Sequence, residues 1–132
     1  MSMEVVEPNP VEEYLSGLSA RKERTAREVL DLMAAEIEWP KGPRGGSRSY
    51  DGVNAPWWEL EPEEVVQLRE RLVNGEWTSE TDGEPYSPQM INRFLNSLRG
   101  VLRQCWKQGL MPAAPYLESA AKLKTVSANP PR

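Results

Sequence analysis

The chain has 132 residues, 39% of them apolar, with five tryptophans and a formal net charge of −4. That is the length of one domain, with enough apolar side chains to bury a core. No histidine and a single cysteine, Cys105, exclude an internal disulfide and argue against a zinc site and against histidine-based catalysis. No apolar run approaches the roughly 20 residues of a membrane span, and MSMEVVEP lacks the charged-then-apolar pattern of a signal peptide. A soluble, cytoplasmic protein with a reduced, buried thiol and no membrane partner is therefore expected.

Residues 1–8 read as a loose acidic arm, and PVEEYLSGL (Pro10–Leu18) suits a short helix. Ser19 is a suitable N-cap for a longer helix reaching about Glu36. Its inner stripe is Ala26, Val29, Leu30, Met33 and Ile37, with Arg21, Arg24, Arg27, Glu28 and Asp31 outside. Cations in the first turns oppose the helix dipole. Either i,i+4 pairing (Arg24–Glu28, Arg27–Asp31) offsets this, or helix-end amides and cations together receive phosphate. Between Trp39 and Glu59, Pro40, Pro43, Gly45 and Gly46 break both periodicities, and loops of this length are functional or mobile. Lys41, Arg44 and Arg48 lie on it, but its GPRGG core does not match a phosphate-binding loop. Trp57 and Trp58 are expected to anchor the loop's end in the core rather than stand out as stacking platforms.

Pro62 at the first helical position and the acids Glu61, Glu63 and Glu64 start the next helix. Val65, Leu68 and Leu72 face inward, joined in this reading by Val66 and Val73, and Asn74-Gly75 ends it. Residues 76–86 form an acidic loop with a turn at Asp82-Gly83. Ser87 then caps, and Pro88 opens, a long helix that Gly109 closes. Its apolar stripe is Ile91, Phe94, Leu95, Leu98, Val101, Leu102, Cys105 and Trp106. The opposite stripe, Gln89, Asn92, Arg93, Asn96, Arg99, Gly100, Arg103 and Lys107, holds four cations, three amides and no carboxylate. Such side chains hold phosphates and read base edges. Gly100 within it is either a tolerated helix glycine, the simpler reading, or a point of close approach to DNA. A short helix at about 115–122 and an extended basic tail complete an all-α chain: a compact bundle of four to five helices with long loops at about 38–59 and 76–86.

The net charge conceals a polarised distribution. Residues 19–27 carry four cations and one acid, and residues 86–132 seven cations and one acid, so a basic face can coexist with an acidic mean. Chemistry is harder to find. Tyr14, Tyr50, Tyr86 and Tyr116 form no evident cluster, and the Glu12/Glu13 and Glu63/Glu64 pairs sit where helix starts favour acids. No catalytic residue, metal or cofactor is expected in this chain.

Three segments, taken in order, resemble the N-terminal core-binding domain of tyrosine recombinases, the phage-integrase superfamily with its SAM-like helical fold. LSARKERTAREVLDLMA (Leu18–Ala34) is similar to the family's opening: a Ser, a Thr six residues on, then an amphipathic helix. WWELEPEEVVQLRERLVNG (Trp57–Gly75) is similar to the acidic, proline-led start of its third helix. YSPQMINRFLNSLRGVLRQCWKQGLM (Tyr86–Met111) is similar to the segment in which Ser-Pro begins a helix bearing Asn-Arg, then Leu-Arg, then Gly-Leu. YLESAAKLKTV (Tyr116–Val126) looks like the family's link toward its catalytic domain, so the resemblance spans roughly residues 8–132. The loops at 38–59 and 76–85 are longer than in typical members.

The resemblance implies a flexible arm at 1–8, a DNA-binding domain at 9–124 and the start of a linker at 125–132. It implies a clamp around double-stranded DNA whose other half, a catalytic domain outside this chain, supplies the tyrosine nucleophile, with other recombinase protomers assembled on the DNA. This chain would then not itself be an enzyme. Arg21, Lys22, Arg24 and Thr25 align with positions facing the DNA backbone, and Ser87, Gln89, Asn92, Arg93, Asn96 and Arg99 with the groove-facing side. Arg103 joins them as a member of the polar stripe. The competing expectation is a helical protein-interaction module whose polar stripe meets an acidic partner, with the loop tryptophans as anchors.

Overall fold

Four of the five α-helices among the described residues begin at a side-chain cap. The structure, a computed structural model, describes residues 9–37, 51–79, 82–124 and 126. Helix α1 (Pro10–Ser16) starts at Asn9, whose side chain accepts from the Val11 and Glu12 N–H groups while its Nδ2 donates to the Val53 carbonyl at 3.1 Å. Helix α2 (Ala20–Glu36) is capped by Ser19. Helix α3 (Pro62–Val73) opens with Pro62 at its first position, and the Glu64 carboxylate accepts from the Glu61 N–H at 2.8 Å. Helix α4 (Pro88–Lys107) is capped by the Ser87 hydroxyl, which accepts from Met90 N–H. Helix α5 (Ala113–Lys122) follows. Gly75 and Gly109, at φ 75° and 77°, take the left-handed conformation that turns the chain away from α3 and α4.

Helix α4 is the central element and packs against all four other helices. Twenty residues give it a length of roughly 30 Å. Its buried side, from Ile91 through Phe94, Leu95, Leu98, Val101 and Leu102 to Cys105, is the stripe expected from the sequence. Val11 and Leu15 of α1, Val29, Leu30 and Met33 of α2, and Val65, Leu68 and Leu72 of α3 complete the core. The acidic loop is fastened to α4 by an aromatic trio: Phe94 lies 5.0 Å from Trp77 and 4.9 Å from Tyr86, centroid to centroid. Gly83 turns that loop at φ 72°, and Thr78 and Pro85 form an isolated antiparallel bridge. Among the described residues there is no longer strand, and no helix is long and apolar enough to cross a membrane.

Several details differ from the sequence reading. Trp106 is 40% exposed rather than buried, because its ring stacks on Tyr116 of α5 at 5.1 Å instead of entering the core. Val73 is 44% exposed, since α3 ends there. The last helix starts at Ala113, two residues earlier than expected. The chain after it does not simply trail away. Leu123 is fully buried, the Lys124 carbonyl accepts from Arg69 Nε at 2.9 Å, and Val126 is bound to α4 by hydrogen bonds described below. The pairs Arg24–Glu28 and Arg27–Asp31 do not form. Arg27 turns back to Glu23 at 3.0 Å and across to Glu12 at 3.2 Å. Asp31 is drawn instead to the N–H of Gly52, at 2.7 Å.

That last contact holds the described end of the loop, from Asp51 on, against α2. A Cβ on Gly52 would lie 2.8 Å from Leu30 Cβ, so only glycine permits this approach. Trp57 is fully buried with its indole N–H on the Gly52 carbonyl at 2.8 Å, and Trp58 is half-buried. Both therefore anchor the loop's end, as expected. Trp39, Lys41, Arg44, Arg48 and the acidic arm at 1–8 lie outside the described residues.

Candidate nucleic-acid interface

The start of α2 is exposed because its apolar stripe begins only at Ala26. Arg21, Lys22 and Arg24 therefore stand in solvent, with Thr25 half-buried behind them. The N-terminal half of α4 lies alongside, held there by the α2 and α4 apolar stripes packing together. Between them opens a groove of about 500 Å³. Arg21, Lys22 and Thr25 line one wall, Arg93, Asn96 and Ser97 the other, and Tyr14, Leu18 and Ala26 the base. No carboxylate lines it. Arg21, Lys22, Arg24, Arg93, Arg99 and Arg103 make no ion pair among the described residues, while Glu12 and Glu23 both serve Arg27. A concentrated positive field thus faces solvent on an acidic protein.

The expected contact residues fall into three groups. Arg21, Lys22, Thr25, Arg93 and Asn96 share the groove. Arg24, Gln89 and Arg103 are exposed outside its lining, and Arg99 is half-buried, donating to Asn96 Oδ1 at 2.9 Å. That bond orients the Asn96 carboxamide and leaves its NH2 group outward. Ser87 spends its acceptor on the Met90 N–H as the helix cap.

Asn92 does not join either set as a free amide. Its Nδ2 donates to the Val126 carbonyl at 2.9 Å, and its Oδ1 accepts from the Val126 N–H at 2.7 Å. The side chain acts as a one-residue strand partner for the chain after α5. Gly100 likewise faces inward to a neighbour: a Cβ there would overlap the Tyr14 ring, with Tyr14 Cζ at 2.9 Å. It is not an idle helix glycine but the seat of an aromatic ring from α1.

Tyr14 is the residue the sequence did not single out. Its only advance signal was the glycine in the middle of a polar helical stripe, which marks close packing by something. Cys105 plays no part in the surface. It is fully buried, and burial pushes its thiol up to about 12. Among the described residues no cluster of acids, histidines or cysteines could hold a metal. No family model, curated protein or solved structure matches the chain.

Proposed function

We propose that this chain is a helical DNA-binding domain that receives duplex DNA on the face shared by α2 and the N-terminal half of α4. The particular reading is the core-binding half of a tyrosine recombinase, closing on DNA opposite a catalytic domain. The observation that carries the proposal is the carboxylate-free groove that joins Arg21 and Lys22 to Arg93 and Asn96. Exposed cations without acidic partners are the footprint of phosphate binding. Asn96, its oxygen already held by Arg99, offers an oriented amide suited to a base edge. In the rival reading the loop tryptophans would anchor an acidic protein partner, but the burial of Trp57 removes one of those anchors.

Anisotropy titration of labelled duplexes of mixed sequence tests this. Arg93→Ala should weaken binding by about 1–3 kcal/mol, and change sequence preference, if it reads a base. Arg71→Ala, which removes a cation already paired with Glu36 at 2.8 Å, should leave binding unchanged. Equal behaviour of the two variants would reject the assignment.

A further inference from the structure

A duplex presents a convex sugar–phosphate edge, with its bases stacked out of reach of a side-chain ring. The groove between α1, α2 and α4 can receive that edge at its walls, but its base offers more than phosphate contacts. It is a concavity of about 500 Å³ whose base is Tyr14, Leu18 and Ala26 and whose walls carry Arg21, Lys22 and Arg93. Apolar and aromatic below, cationic at the walls, it has the chemistry of a nucleotide: a flat base with a phosphate at one end.

A further feature points into the same space. Ser97, 4% exposed, adds a hydroxyl to the α4 wall of the groove, opposite Thr25, whose own hydroxyl donates to the Arg21 carbonyl at 3.4 Å. The Tyr14 ring is seated on Gly100, which supports it from behind and leaves it half-buried toward the groove.

We propose that the groove takes one unstacked nucleotide of single-stranded DNA, its base against Tyr14 and Leu18 and its phosphate between the Arg21–Lys22 pair and Arg93. This rests on the DNA-binding reading above and narrows it: strand ends or locally melted DNA become ligands in their own right. Duplex DNA uses the same wall cations, Arg21, Lys22 and Arg93, from outside the groove, together with the exposed Arg24 and Arg103 around the rim.

The full chain is titrated with a labelled short oligothymidylate and, separately, with a blunt duplex, with thymidine monophosphate and inorganic phosphate as competitors. Oligothymidylate should bind saturably, and the nucleotide should compete where phosphate at the same concentration does not. Tyr14→Leu should weaken oligothymidylate binding about tenfold while duplex binding is unchanged, and Tyr14→Phe should leave both intact. Because Tyr14→Leu alters a packed position, the wild-type chain is also photocrosslinked to an oligothymidylate carrying iododeoxyuridine. The adduct should map to Tyr14 or its immediate neighbours. Duplex binding with no saturable oligothymidylate binding, a folded Tyr14→Leu chain with unchanged affinity, or an adduct remote from the groove overturns the nucleotide site and leaves the duplex reading standing. Absence of binding to either DNA removes both.

Discussion

Gly100 shows how much a single position can hide. On a helical wheel it belongs to the polar stripe, where a glycine looks expendable. In the fold the Tyr14 ring rests on it. Gly100→Ala should gain about 1 kcal/mol in helix propensity but lose about 1–3 kcal/mol to overpacking, so the net effect is a lower denaturation midpoint. A higher midpoint would mean the ring swings aside freely. Cys105 gives a second residue-level expectation. Its thiol is raised from an ordinary 9.0 to about 12 by burial, so the neutral form is favoured in the native state. The stability this contributes is complete below pH about 9 and is lost as pH rises toward about 12. At neutral pH the thiol should react with a disulfide reagent only at the rate of unfolding; prompt reaction in native buffer would show that it is reachable.

At the scale of elements, α2 and α4 were legible because each repeats its apolar residues at helical spacing between clear start and stop signals: Ser19, Ser87-Pro88 and Gly109. The end of α5 was not. Nothing near Leu123 or Val126 in sequence signals that Asn92, 34 residues away, will bind the Val126 backbone at both ends. An amide on a polar stripe looks the same whether it awaits a base or a main-chain segment. The structure makes a definite prediction here. Asn92→Ala should cost about 1–2 kcal/mol for two hydrogen bonds and expose the Val126 amide to rapid hydrogen exchange. Undiminished protection of that amide would show the segment to be held by Leu123 and Arg69 instead. Of the two readings weighed for the cations of α2, the i,i+4 pairs Arg24–Glu28 and Arg27–Asp31 do not form. Arg27 pairs one turn earlier with Glu23 and across to Glu12 of α1, and a loop backbone takes Asp31. Spacing alone does not choose between such partners.

For the whole molecule, the all-helical architecture was readable from periodicity alone, whereas the groove was not. It needs α1, α2 and α4 brought together by a core that no single segment encodes, and its base includes a tyrosine with no motif around it. The central claim is that two chain-distant cationic clusters act as one surface on nucleic acid. Its most direct test is the salt dependence of duplex binding for the wild-type chain and for Arg21→Ala/Arg93→Ala. Wild-type affinity should fall steeply with salt. The double variant should bind more weakly, with a slope shallower by roughly 2, at about 0.9 per lost phosphate contact. Identical slopes for the two proteins, or wild-type binding that ignores salt, would contradict it.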